Sequence, residues 1–273
     1  MKATVLIDNI PDNGCVGEWG LAVYIEYENH KILLDCGTTG DFVLNAQKLG
    51  INLEEVECGV LSHAHYDHSD GMDRFFEING SADFYLRECG NALCYSGTHG
   101  TRKKYIGIKK SILENYGSRL KYVSGDYELF PGVSLVPHKT EGLEEIGEKA
   151  LMYVRKGRKY IPDSFAHEQS LVFDTPKGLV VFNSCSHGGA DNIINEVAQT
   201  FPGKKIYAMI GGFHLFLTDD KEVSEFAKRV KRTGIEKVIT GHCTGDRAYE
   251  ILKKELGSKV EQMRSGMVID FVL

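Results

Sequence analysis

The segment VLSHAHYDHSDG, residues 60–71, sets His63, His65, Asp67 and His68 at H-x-H-x-D-H spacing directly after an apolar run. Imidazole and carboxylate are side chains that hold zinc, and iron and manganese accept similar shells. On an extended backbone His63 and His65 fall on the same side, so their rings can share one cation. Asp67 and His68 follow where the chain should turn, and can address a second. Without a cation the same four residues would crowd polar groups that need partners and would charge together as pH falls. A metal removes both problems. It also supplies chemistry, because a bound cation lowers the pKa of water from about 15.7 to about 7 and so provides a hydroxide nucleophile at neutral pH.

Two further apolar runs halt at a small residue and a histidine. VVFNSCSHGG (180–189) offers His187 and Cys185, and KVITGHCTG (237–245) offers His242 and a second thiol, Cys243. Open α/β architectures place their sites at such carboxyl-terminal strand edges. Cys185 reads equally well as a small buried thiol behind the site. His214, in IGGFHLF (210–216), follows glycines that let the backbone approach a ligand, and is a candidate acid, base or substrate contact. His138, in LVPHKTEG, is a reserve ligand or substrate contact. His30, His99 and His167 have no supporting neighbours in sequence, and His30 is read as a surface residue.

The elements that must position these groups are short apolar runs ending in Gly, Asp, Ser or His: 4–8, 21–27, 31–37, 58–65, 170–173, 179–187, 205–212 and 237–242. They predict buried strands. Apolar residues at three- and four-residue spacing predict helices over 39–50, 190–200, 219–233 and 246–257. A β-rich start followed by alternating β and α indicates a layered α/β protein. No linker, repeat or low-complexity run divides the chain, so a single domain, 1–273, is expected. Residues 87–121 stand apart as a glycine-containing basic excursion, with eight Lys or Arg against Glu88 and Glu114. It reads either as an arm over a site for an anionic substrate or as a solvated surface.

With 42% hydrophobic residues in 273, the chain can bury a full core. Its net charge of −6 argues against broad binding to phosphate backbones, so no nucleic-acid partner is expected. Seven scattered cysteines, odd in number and without a C-x-x-C pair, suit a reducing cytosol. The start MKATVLIDNI lacks the features of a signal peptide, and no run approaches the roughly 20 apolar residues that cross a bilayer. A cytoplasmic protein without a membrane partner is the expectation.

SHAHYDHSDG resembles the signature of the metallo-β-lactamase superfamily, and KILLDCG resembles its earlier strand-end aspartate. NSCSHGG, GGFHL and TGHCTG resemble the branch that includes an archaeal dihydropterin-type synthase of methanopterin biosynthesis and related bacterial hydrolases. The resemblance runs through most of the chain. It implies a four-layer αββα sandwich with the metal site at one edge and Asp35 as support behind the ligands. It assigns His63, His65 and His187 to one metal and Asp67, His68 and His242 to another. One departure stands out: where many members carry a bridging Asp, VVFNSCSH has none. Either Cys185 or His187 takes that role or the bridge is absent, with His138 in reserve for the gap.

The leading expectation is a metal-dependent hydrolase carrying one or two Zn2+ ions, or Fe or Mn. It would use a metal-bound hydroxide on a small anionic substrate of the phosphoester type. Asp67 and His214 are the candidate catalytic residues, His214 stabilising developing charge or protonating the leaving group. The alternatives are a dihydropterin-type transferase that releases diphosphate, and a non-catalytic ligand-binding sensor.

Overall fold

A computed structural model describes residues 1–98 and 102–271, so His99 lies outside the described residues. The chain divides into two compact units. One holds Met1–Ser124, Glu141–Gln169 and the described residues from Arg264 onward; the other holds Gly125–Thr140 and Ser170–Met263.

The first unit is built on a seven-stranded sheet. Its order is Val268–Asp270, Lys2–Ile7, Ala22–Tyr27, His30–Leu34, Cys58–Val60, Asp83–Arg87, Leu120–Val123. The first four strands pair antiparallel and the last four parallel. Strands such as Lys2–Ile7 and Ala22–Tyr27 are apolar nearly throughout because both faces are covered. Tyr27 and His30 pair across a two-residue turn in which Glu28 takes a left-handed φ of 51°, the twist that such hairpins need. Phe42, Phe75, Phe84 and their neighbours fill the core.

The strand expected over 58–65 spans only Cys58–Val60. Its apolar run outlasts it because Leu61 still donates to the Tyr85 carbonyl, after which Ser62 turns onto Asp35. His63 and His65 therefore sit on a turn, His65 N–H donating to the His63 carbonyl, rather than on an alternating strand. The helical turn Tyr66–Ser69 follows. Gly71 closes the motif where a Cβ would lie 2.0 Å from the Cys36 carbonyl oxygen, so only glycine fits.

The described residues of the basic excursion contribute elements to this unit. Cys94–Ser96 and Lys104–Tyr105 join Met152–Lys156 and Lys159–Pro162 in a four-stranded antiparallel sheet, and Leu120–Val123 edges the large sheet. Much of its charge has partners nearby. Lys109 faces Asp70, Lys110 faces Glu114 and Lys121 faces Asp83. Arg119 donates to the Asn79 and Ala82 carbonyls, and the Lys103 ammonium lies 3.1 Å from the centre of the Tyr153 ring.

The second unit carries another seven-stranded sheet. Its order is Val260–Gln262, Lys237–Thr240, Ile206–Ile210, Gly178–Phe182, Gln169–Thr175, Val133–Pro137, Tyr127–Phe130. The first four strands are parallel, joined through helices Ala190–Thr200, Asp220–Arg232 and Asp246–Leu256, the crossover connections that parallel pairing demands. These match the helices expected from spacing to within a residue. Val181, Met209, Val238, Ile193, Phe226 and Leu252 meet in the core. Among the described residues no helix is long and apolar enough to cross a membrane.

Candidate functional site

The first unit gathers the H-x-H-x-D-H residues. The His63 ring lies 4.6 Å from that of His65 and 4.2 Å from that of His68, centre to centre, and all three are buried. What fixes them is Asp35, fully buried at the end of His30–Leu34 and held in the left-handed region at φ 58°. One carboxylate oxygen accepts the Ser62 N–H at 2.7 Å. The other accepts the Ser62 hydroxyl at 2.6 Å and His68 Nδ1 at 2.8 Å. A carboxylate oxygen accepts, so His68 donates its Nδ1–H to Asp35 and turns Nε2 away from that carboxylate. Ser62 spends its proton on Asp35, so at 2.8 Å its oxygen accepts from His63 Nδ1, which likewise turns His63 Nε2 away from it. Burial pushes the His65 imidazole down to about 3, so this ring is neutral at pH 7. Asp67 is oriented by the Trp19 indole, whose Nε1–H donates to Oδ2 at 2.9 Å.

Three buried imidazoles and a carboxylate, oriented by partners behind them, fit a divalent cation.

The second unit brings together the other histidines at its parallel strand ends. The His187 and His214 rings lie 4.5 Å apart. His214 Nδ1 is buried with no protein hydrogen-bond partner, a cost that a ligand would remove. Cys185, His242 and Cys243 form a buried group whose ligand atoms lie within 4.8 Å of one another, and the two sulfurs are 3.4 Å apart. Burial alone would raise the Cys243 thiol. The hydrogen bond with Cys185 and the nearby His242 and His214 outweigh it and draw the thiol well below its usual range. Ser186, His214 and His242 all take left-handed φ values near 50°. Such strain in non-glycine residues costs about 1–3 kcal/mol each and concentrates at functional sites. Gly211 permits the approach, since a Cβ there would lie 1.8 Å from the Asn183 carbonyl oxygen.

His138 is placed beside Glu196 instead of in a ligand cluster. Its Nδ1 lies 3.0 Å from the carboxylate, and its ring packs where a Cβ on Gly188 would be. Burial would raise Glu196, but His138 and the hydrogen bonds around Thr140 and Lys139 hold it down at about 2. His30 pairs with Glu57 at the surface.

Sequence reasoning missed four residues, Cys94, Asp163, His167 and Trp19. His65, Cys94, Asp163 and His167 form a fully buried group with ligand atoms within 4.8 Å of one another, all in the first unit. Their positions, spread over more than 100 residues, give no local pattern. Trp19 lies outside any motif.

The profile described as the metallo-beta-lactamase superfamily matches residues 20–149. The crystal structure of Tm1679, a metal-dependent hydrolase of the beta-lactamase superfamily, is 31% identical with a TM-score of 0.85, covering 99% of this chain and 98% of that one. The chain belongs to the metallo-β-lactamase superfamily. Its fold class is the α/β class of these metallo-β-lactamase relatives, as the motif resemblance implied. It is also similar to the 7,8-dihydropterin-6-methyl-4-(beta-D-ribofuranosyl)-aminobenzene-5'-phosphate synthase of Methanocaldococcus jannaschii, at 29% identity over 92% of this chain and 90% of that protein. A diphosphatase from the PhnP family shares the fold at 16% identity and a TM-score of 0.54, covering 100% of this chain and 98% of that one.

Proposed function

We propose that this metallo-β-lactamase-superfamily protein is a metal-dependent hydrolase acting on a small phosphoester-type substrate. The observation that carries the reading is the buried cluster of His63, His65 and His68 rings, with the fully buried Asp35 accepting from Ser62 and from His68 Nδ1 behind them. His63, His65, Asp67 and His68 are the proposed ligands of the first unit, and His187 and His242 those of the second. Zinc is the proposed ion, since imidazole with carboxylate suits it. When bound, such an ion lowers the pKa of a coordinated water to about 7 and polarises a substrate oxygen. The chain's own residues do the rest. Trp19 holds the Asp67 carboxylate, Asp35 and Ser62 hold the imidazoles, and His214 offers a buried nitrogen to donate a proton to, or stabilise charge on, the leaving group. Cys185 remains a proposed additional ligand.

A second reading, a transferase releasing diphosphate, is favoured by the likeness to the dihydropterin-type synthase over nine-tenths of the chain. The same residues would serve, with diphosphate as the charge to be neutralised. The experiment is to follow phosphoester hydrolysis, and diphosphate release from an activated pterin, each with and without a chelator and an arylamine acceptor. Chelator-sensitive release that needs no acceptor supports hydrolysis. Release that depends on the acceptor establishes the transferase, and chelator-insensitive turnover removes the metal reading. A cytoplasmic location and a small-molecule substrate are part of the same proposal.

A further inference from the structure

The group His65, Cys94, Asp163 and His167 has the composition of a metal site, yet its hydrogen bonds describe something else. His167 Nδ1 accepts the Ala64 backbone N–H at 3.2 Å, and Nε2 lies 3.0 Å from Asp163 Oδ2. Burial disfavours a charged His167 ring, while Cys94 and Asp163 favour it and draw its pKa up. The Ala64 N–H aimed at Nδ1 decides the tautomer: a nitrogen that accepts an N–H carries no proton, so the His167 proton sits on Nε2 and is given to Asp163. Coordination through Nε2 would force the proton onto Nδ1, against the Ala64 N–H. Both ring nitrogens are therefore engaged, and no lone pair remains for a cation.

We propose that Asp163 and His167 form a positioning pair that fixes the Ala64 peptide between His63 and His65. The inference rests on the reading of those two histidines as metal ligands. The segment carrying the pair is itself anchored. Asp163 Oδ1 accepts the Phe165 N–H at 2.8 Å, and Asp163 N–H donates to the Met152 carbonyl at 3.0 Å. Gly147 lets that strand approach, since a Cβ there would lie 2.1 Å from the Asp163 carbonyl oxygen. Beyond the pair, Gln169 N–H donates to the Ser62 carbonyl at 2.8 Å and its side-chain amide to the Leu61 carbonyl at 2.9 Å. Residues 163–169 thus hold the turn 61–65 at three backbone groups, the Ala64 N–H and the Ser62 and Leu61 carbonyls. The His167 ring stands 5.2 Å from that of His65, close enough to limit its rotation. Where Asp35 sets the tautomers of His63 and His68, this pair sets the backbone from which His63 and His65 project.

The test compares His167→Leu, which offers no acceptor, with His167→Asn, whose Oδ1 can stand where Nδ1 was. Two readouts are taken: zinc affinity by chelator competition, and hydrogen exchange of the Ala64 amide in the metal-free protein. We expect the Leu variant to bind zinc about tenfold more weakly and the Asn variant to recover to within about threefold of wild type. Ala64 exchange should accelerate in the Leu variant alone. Wild-type affinity and exchange in the Leu variant would overturn the pairing, as would an Asn variant no better than Leu. A cobalt-loaded protein showing sulfur charge-transfer absorption that is lost in Cys94→Ser would also overturn it, by placing a cation in the group. Failure of the wild-type protein to bind zinc at all would instead refute the functional reading, while the exchange result would still decide whether His167 holds Ala64.

Discussion

Replacing Asp35 with Asn removes one charge and almost no volume, and its effect follows from counting donors. Three converge on the carboxylate: Ser62 N–H on one oxygen, and the Ser62 hydroxyl and His68 Nδ1 on the other. An amide offers one acceptor and one NH2. With its oxygen toward the Ser62 N–H, the NH2 opposes the hydroxyl and His68; the imidazole then escapes the clash only by moving its proton to Nε2, which destroys the ligand lone pair. With the amide flipped, His68 keeps its tautomer but the buried Ser62 N–H faces an NH2. A buried donor left unsatisfied costs about 1–3 kcal/mol, so we expect metal-free Asp35→Asn to lose about 2 kcal/mol of stability. For a chain of this size that lowers Tm by about 4–8 °C. Loss of support behind a metal-bound histidine typically weakens metal affinity by about 10–100-fold. Thermal unfolding of the metal-free protein and zinc competition against a chromophoric chelator measure the two effects. Zinc affinity within about twofold of wild type would refute the claim that Asp35 sets the His68 tautomer.

Trp19 is the only tryptophan in the chain and its indole N–H is bonded to Asp67, so its emission should change as zinc is titrated into metal-free protein and stay constant in Asp67→Ala; metal uptake with no change in wild-type emission would contradict the role given to Asp67. Glu196 is held at about 2 in the folded state against 4.5 ordinarily. A depressed carboxylate stabilises the fold above its unfolded pKa and loses that contribution as pH falls through the folded value, a window from 4.5 down to about 2. Urea unfolding should therefore show Glu196→Gln less stable than wild type at pH 7 by up to about 3 kcal/mol, with the gap closing in strong acid; a gap independent of pH would sink the assignment. Gly71→Ala should destabilise the protein by about 3 kcal/mol or more, because backbone carbonyls of Cys36 and Thr39 occupy the Cβ position, and a near-neutral result by denaturant titration would show that this turn can open.

The H-x-H-x-D-H cluster was legible because its four residues fall within six positions, and Asp35 because it ends an apolar run. Helix Ala190–Thr200 emerged with the same bounds from three- and four-residue spacing alone. Strand ends were overrun. VLSHAH stays buried past Val60 because it turns inward onto Asp35, and burial without pairing looks the same in sequence as a strand. His167 was invisible for a different reason: Asp163 lies four residues before it, but Ala64 and Cys94 come from distant segments. The sheet that frames them is built from partly exposed strands such as Met152–Lys156 and Lys159–Pro162, which carry no apolar run. The basic excursion could not be read because charge density does not show pairing. Lys109 and Lys121 lie beside carboxylates outside the excursion, at Asp70 and Asp83.

The central claim, that the buried imidazoles hold metal, is tested most directly by elemental analysis of the purified protein beside His63→Ala and His242→Ala, each with and without added zinc, iron or manganese. The wild-type protein should hold about two equivalents, falling towards one in either variant, as expected when a ligand is lost from one of two sites. Absence of metal in the wild-type protein under every loading condition would contradict the claim.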